Sequence, residues 1–532
     1  MTSNSLEFST VPRGRGKRLV RVGPSDFGIL AEVKERTGNI EAGFVAAAWA
    51  GVRLALPPPG HNTHTLMYPL VEAGGGYNTL EPFHALYMPV VTATRRLWEL
   101  CGAPPPALPA LQAVSLLAGA ANIILLYRLV RRATGSASAA LGAALILAAS
   151  ANLWSWSLMT TSYTLSTFCL LAAADRLLMR ERLDSRDAAM TGLLIGFAAG
   201  FDTAAGVAAF PASYELWRRR APASSPAVVW SVFAAGVSLP ILAGLGLLIF
   251  RLRAQGWPFA PTVAGFLGSL PHDIVPLWRS LDAAAQIRRW ASSTSPLDLP
   301  VWACLAVVVW AGRAAKSWSE KALWRLGAAL WALITLFFFI NDPHNRFIYA
   351  GATLLPGLFA LAAARAKRPL ALCAAAAAGL GLWHKFVPPA YTVDDNLGFA
   401  EARFLRERLG REDLLVALSD PDWVFSYAFG GRARVIKLVG IGDGEARFGA
   451  EASASGAALE RRLDPALCAG RKAVFAADAL FRSTRREPKA LDAEARTIFA
   501  GLSKRYIVDP AWISPRGQHY HPLRPRRCPR GI

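Results

Sequence analysis

Long apolar runs separated by short polar connections fill the first 390 or so residues. A bilayer core about 30 Å thick calls for near-continuous apolar runs of roughly 17 to 25 residues, whereas a soluble core needs only apolar stripes. The runs at 40–56, 108–127, 137–152, 163–179, 188–201, 203–217, 227–249, 299–312, 322–340, 347–364 and 370–387 predict an all-α membrane domain of about eleven spans. Several are shorter than a full crossing, and the pair at 188–217 tilts or breaks around Phe201, Asp202 and Thr203.

The pattern changes near residue 390. Apolar runs shorten, and residues 391–532 carry 24 Lys/Arg against 18 Asp/Glu, the composition of a soluble domain. Strand-like segments at Leu414–Leu418, Arg434–Leu438, Ala473–Ala476 and Arg505–Val508 alternate with helix-like ones at Gly398–Leu409, Asp422–Phe429, 452–462 and 488–500. This alternation predicts a small, mostly parallel α/β sheet. Gly440 to Gly444 lacks the spacing of a phosphate-binding glycine loop. The chain therefore divides into a basic N-terminal segment (1–39), a membrane domain (40–389) and a C-terminal α/β domain (390–532).

Composition agrees: 53% of residues are hydrophobic and 18% charged, with a positive mean hydropathy. A net charge of +21 fits nucleic-acid binding in principle, but its distribution argues for a membrane. With the N-terminus in the cytoplasm, five clusters land inside: Arg128/Arg131/Arg132, Arg180/Arg182/Arg186, Arg218–Arg220, Arg313/Lys316/Lys321 and Arg365/Lys367/Arg368. The same alternation sends the loops 57–107 and 250–298, the turn at 153–162 and the C-terminal domain outside. Loop 250–298 dissents with five arginines, although long segments obey the charge rule less strictly. The expected location is the cell membrane. The N-terminal 39 residues are polar and basic, which does not fit a cleavable signal peptide.

Six cysteines form no CxxC pair, so neither a zinc site nor a redox motif is indicated. Cys101, Cys169, Cys304 and Cys373 read as small buried hydrophobes, and Cys468 and Cys528 pair only if the tail lies in an oxidising compartment. The cofactor is unknown: no metal motif is present, and a divalent ion stays open.

Polar groups concentrate in the predicted outer loops, above all in the first, which holds His61, His64, Tyr68, Glu72, Glu81, His84 and Tyr87. Its Phe83-His84-Ala85-Leu86-Tyr87-Met88-Pro89, with the span ending LLYRLVRR, resembles the bacterial GT-C membrane glycosyltransferases, the family 39-like relatives of protein mannosyltransferases and aminoarabinose transferases. Further likenesses run in order: NLWSWSLMTTSY at Asn152–Tyr163, FDTAAGVAAFP at Phe201–Pro211, and Asp342 to Phe347 before a helix containing Pro356.

The resemblance implies transfer of a sugar from a polyprenyl-phosphate donor to a lipid, glycan or protein acceptor at the outer membrane face. Inverting transfer needs a carboxylate to take the acceptor proton and cations to hold the departing phosphate. Glu81 and Glu72 are the candidate bases, Arg346, His344 and His84 the candidate phosphate ligands, and Tyr68, Tyr87 and Asp202 the candidate sugar or acceptor contacts. The chain also departs from the family pattern. His64 or Asn62 stands where an Asp is common, and Met159, Thr160 and Thr161 stand where relatives carry Glu.

Plainer roles compete. Glu81 suits the start of an interfacial helix at Pro82, and Glu72 suits a solvated loop. Arg346 suits snorkelling to headgroups, and the two histidines suit interfacial hydrogen bonding. Asp202 suits an interfacial break. Trp154 and Trp156 read as aromatic-belt anchors rather than sugar platforms. A catalytically silent scaffold is the alternative function; a transporter fits less well, since no internal repeat and few mid-span charges are visible.

Overall fold

The computed structural model describes residues 24–55, 85–103, 108–157, 162–254, 301–341 and 353–383, and in the C-terminal region 404–405, 407–410, 413–417, 434–437, 463–476, 500–515, 517 and 519–528. Helices dominate: α1 (Pro24–Ala55), α2 (Tyr87–Leu100), α3 (Leu108–Thr134), α4 (Ala137–Ala148), α5 (Ala151–Trp156), α6 (Tyr163–Leu177), α7 (Ser185–Phe201), α8 (Ala209–Arg218), α9 (Pro226–Ala254), α10 (Val301–Ala314), α11 (Trp318–Asn341), α12 (Leu355–Ala363) and α13 (Pro369–Trp383). A 3-10 helix at Thr203–Ala208 joins α7 to α8. Every predicted span has a helix. Two, Pro109–Thr134 and Pro226–Leu247, are by themselves long and apolar enough to cross a bilayer. Helix α2 begins inside the Phe83–Pro89 segment, at Tyr87, and the short helix α5 overlaps the turn expected at 153–162.

The surface of this bundle is the reverse of a water-soluble one. Alanines such as Ala139, Ala140, Ala143 and Ala188 are fully buried, while Phe44, Leu117, Phe210, Leu239, Leu242 and Trp302 are more than half exposed. Small residues let helix backbones approach, and large apolar ones face the acyl chains; in water such a surface would aggregate. The protein is an integral membrane protein by this criterion. Glycines make the tightest seam. A Cβ on Gly192 would stand 2.4 Å from the Phe233 carbonyl oxygen, one on Gly196 2.4 Å from that of Val237, and one on Gly236 2.8 Å from that of Ala189. Helices α7 and α9 thus touch backbone to backbone, although Pro240 interrupts the hydrogen bonding of α9.

The predicted basic clusters converge on one end of the bundle. There Arg132 on α3 pairs with Asp175 on α6, and Arg176 lies 2.7 Å from Asp187 on α7. Glu215 on α8 is held by Arg219 at 2.9 Å and by Arg325 on α11. Glu320 at the start of α11 pairs with Arg365 after α12, at 2.6 Å. Ser319 donates to the Ala133 carbonyl at the end of α3. Short connections carry these ends: Asp184 and Asp187 form a reciprocal cap at the start of α7.

In the C-terminal region six strands, β1 (Leu414–Ala417), β2 (Arg434–Lys437), β3 (Ala473–Ala476), β4 (Tyr506–Val508), β5 (Trp512–Ile513) and β6 (His519–Pro525), form one sheet. Its order is β2-β1-β3-β6-β4, with β5 also on β6. The β1 ladders to β2 and β3 are parallel, but β6 runs antiparallel to β3, β4 and β5, so the sheet is mixed rather than mostly parallel. Its core gathers Val416, Leu463, Phe475, Leu502 and Leu523. Most of the four expected helices lies outside the described residues; short helical segments occur at 463–468 and 500–505.

The cysteines split three ways. Cys169, Cys304 and Cys373 are buried as expected, Cys101 is exposed rather than buried, and Cys468 is bonded to Cys528, 60 residues away.

Candidate functional site

The candidate site lies at the end of the bundle opposite the paired arginines, where α1, α3, α5, α6 and α7 finish or begin. On the last turns of α1, Val52 and Leu54 are exposed while Trp49 and Arg53, one turn apart, turn inward. Trp49 seats over Gly119 of α3, where a Cβ would come within 2.8 Å of its ring. That contact brings Arg53 against α5, which starts at Ser150 with the serine side chain accepting from the Leu153 N–H.

Arg53 is fully buried (0% exposed). Its Nε donates to the Trp154 carbonyl at 2.9 Å and to Ser157 Oγ at 3.3 Å. Its guanidinium lies 5.1 Å from the centre of the Trp154 ring, a cation–π contact. Its Nη1 and Nη2, also buried, have no hydrogen-bond partner among the described residues. Burying a cation without an anion costs several kcal/mol, and breaking such a pair costs about 3–5 kcal/mol, so a bare buried fork is rare. The two free Nη groups match the oxygens of a phosphate or carboxylate. Neighbouring buried donors and acceptors are also unpaired among the described residues: the indole N–H groups of Trp49 and Trp156, and Oδ1 of Asn122, whose Nδ2 donates to the Thr164 carbonyl at 3.1 Å.

A second feature sits beside it. The Leu86 N–H donates to the Gly200 carbonyl at 2.9 Å, and the Leu86 side chain fills the place a Cβ on Gly200 would take. This docks residues 85–87 on the end of α7, so Tyr87, 1% exposed, enters the bundle as α2 starts. Two residues past Gly200, Asp202 is 3% exposed, and its Oδ1 accepts the Ala204 N–H and starts the 3-10 helix. The chain thus breaks at Asp202, between α7 and the 3-10 helix.

Of the candidate residues, Tyr87 and Asp202 are therefore brought to this end. Tyr68, Glu72, Glu81, His84, His344 and Arg346 lie outside the described residues. Trp154 and Trp156 are not belt anchors: both are 7% exposed, one covering Arg53 and the other packed edge-on against Tyr163 at 4.6 Å. Arg53 was not singled out by the sequence, although a lone arginine inside an apolar span is a signal in its own right. Among the described residues no three His, Cys, Asp or Glu side chains gather as a metal site.

This helical bundle with its C-terminal sheet has the GT-C fold of membrane glycosyltransferases. The structure is similar to that of ArnT from Cupriavidus metallidurans bound to undecaprenyl phosphate, with a TM-score of 0.58 and 13% identity over 90% of this chain and 96% of that one. It is similar also to the apo state of the same protein, with a TM-score of 0.56 and 14% identity over 93% and 98% of the two chains. An archaeal oligosaccharyltransferase, AglB from Archaeoglobus fulgidus, in complex with an inhibitory peptide and a dolichol-phosphate, aligns at a TM-score of 0.46 and 12% identity over 92% and 74% of the chains. No protein-family model and no curated protein matches the sequence.

Proposed function

We propose that this chain is a membrane glycosyltransferase that moves a sugar from a polyprenyl-phosphate donor to a lipid, glycan or protein acceptor at the outer face of the bacterial cell membrane. The observation that carries this reading is Arg53, a buried guanidinium with both terminal nitrogens unpaired among the described residues in a bundle of GT-C fold. A donor whose tail stays in the bilayer delivers its phosphate at that depth, where water competes least for the charge-assisted contacts.

In this reading Arg53 holds the departing lipid phosphate together with Arg346, His344 and His84. Its attraction grows as the bond from the sugar's anomeric carbon to the phosphate oxygen breaks and negative charge builds on that oxygen. Glu81 or Glu72 takes the proton from the acceptor hydroxyl as that hydroxyl's oxygen bonds to the anomeric carbon. Tyr68, Tyr87 and Asp202 shape the sugar and acceptor side.

The test is a panel of radiolabelled polyprenyl-phosphate sugars and lipid extract, offered to purified wild type and to Arg53→Met. Losing one preorganised donor to a developing oxyanion costs about 10²–10³ in rate, so Arg53→Met should lose at least about a hundredfold. The same change removes an unpaired buried cation and should raise the melting temperature. Full transfer by the folded variant would remove Arg53 from the reaction. No transfer by wild type with any donor would favour the silent scaffold.

A further inference from the structure

Toward the basic end of the bundle a groove of about 390 Å³ runs between α8 and α11, and Arg53 is not among its lining residues. Phe210, Pro211 and Tyr214 wall one side, Trp324, Ala329 and Leu333 the other, and Arg325 sits among them as the charged lining residue. Phe210 and Tyr214 are 69% and 44% exposed, so the groove opens on the face that meets lipid. One end of it is apolar, lined on α11 by Ala328, Ala329 and Leu333.

The other end is cationic. Arg218, exposed, donates to the Tyr214 hydroxyl at 3.4 Å, which ties it to the groove wall. Arg325 spends Nε and Nη2 on Glu215, leaving Nη1 outside that pair. Arg219, next to Arg218 in the chain, turns away from the groove: it is buried, donates to the Leu177 and Arg180 carbonyls and lies over the Trp318 ring. Two guanidiniums, Arg219 and Arg325, thus share one carboxylate, Glu215, and Arg218 beside them is held by the Tyr214 hydroxyl and not by an acid. The excess positive charge sits where the apolar groove reaches the membrane surface, the arrangement that binds an anionic headgroup above a buried tail.

We infer that the α8–α11 groove is a binding site for one anionic diacyl glycerophospholipid of the leaflet at the basic end, its tail between Phe210 and Leu333 and its phosphate between Arg218 and Arg325. The site is independent of the sugar-transfer reading and stands or falls separately.

The test uses the full chain purified in nonionic detergent, with lipid retention read by native mass spectrometry. Three probes are added in turn: phosphatidylglycerol, phosphatidylcholine of the same tails, and glycerol 1-phosphate. The expected result is a single phosphatidylglycerol per chain, retained about tenfold better than phosphatidylcholine, the effect of one charge-assisted contact, and no retention of the tailless phosphate. Arg218→Gln should abolish the tenfold preference, and Ala329→Phe, which fills the groove, should weaken both lipids alike. Gel filtration of each variant as a single species shows that it is folded. Equal retention of the two lipids, an unchanged preference in Arg218→Gln, or capture of glycerol 1-phosphate would overturn the site. So would a polyprenyl phosphate that displaces phosphatidylglycerol and is itself lost in Arg218→Gln, since the occupant would then be the donor lipid.

Discussion

Glu215 and Arg53 are both fully buried charges, yet they do opposite things. Glu215 is met by two guanidiniums, Arg219 at 2.9 Å and Arg325 on a different helix, so its charge is more than neutralised and locks α8 to α11. Replacing it by glutamine keeps the shape and removes the anion, leaving two arginines facing each other; loss of one partner from a buried pair costs about 3 kcal/mol or more. The expected outcome for Glu215→Gln is a clear drop in the melting temperature of the detergent-purified protein, and an unchanged transition would show that the pair contributes nothing. At this scale the sequence is a poor guide. It marks Arg53 only as one basic residue near the end of a span, because a linear pattern cannot say whether a side chain snorkels out or turns in. That choice is made by Trp49 over Gly119 and by the Trp154 carbonyl.

Elements were more legible, because their signals are local. Apolar run length located a helix at every predicted span, two of them long and apolar enough to cross a bilayer among the described residues, and β-branched or apolar four-residue runs located β1 to β3 to within a residue. Strand β6, HYHPLRP, was missed for a physical reason: two prolines within seven residues argue against an interior strand. It is accommodated because Pro522 needs only to accept, and its carbonyl takes the Asp509 N–H at 2.9 Å. How elements touch is a further step. The spacing Gly192, Gly196, Gly200 lets α9 meet the first two glycines and Leu86 the third. A side chain at Gly196 would press on the backbone of α9 and on Pro240, so Gly196→Val should destabilise the protein by about 1–3 kcal/mol, the usual cost of overpacking. Gly246→Ala on α9, where nothing lies within 4 Å, is the matched control and should leave the melting temperature unchanged. Equal effects would show that the seam is not close-packed in solution.

For the whole molecule, sidedness is the central question. The five basic clusters were assigned to one side by counting spans, and the ion pairs from Arg132–Asp175 to Arg365–Glu320 gather them at one end of the bundle. The span count expects the C-terminal sheet on the other side, and the bond between Cys468 and Cys528 makes that expectation testable, since disulfides persist in oxidising compartments. If that placement is right, thiols trapped with acid in intact cells and then alkylated should show Cys468 and Cys528 protected until reduced, while exposed Cys101 reacts at once. Alkylation of both tail cysteines without reductant would put the tail in the cytoplasm and end the case for outer-face transfer.

The amino-acid sequence alone determined that the chain is a membrane protein built of apolar helices and that strands follow them toward the C-terminus. Those properties follow from run length, charge and local propensity, which add up along the chain. Only the tertiary structure decided that Arg53 is buried with its fork unpaired, that Trp154 covers it, that β6 joins the sheet, and that α8 and α11 leave a groove beside a surplus of arginine. These depend on which surfaces meet across a hundred or more residues, and on whether a charge finds its counter-charge there.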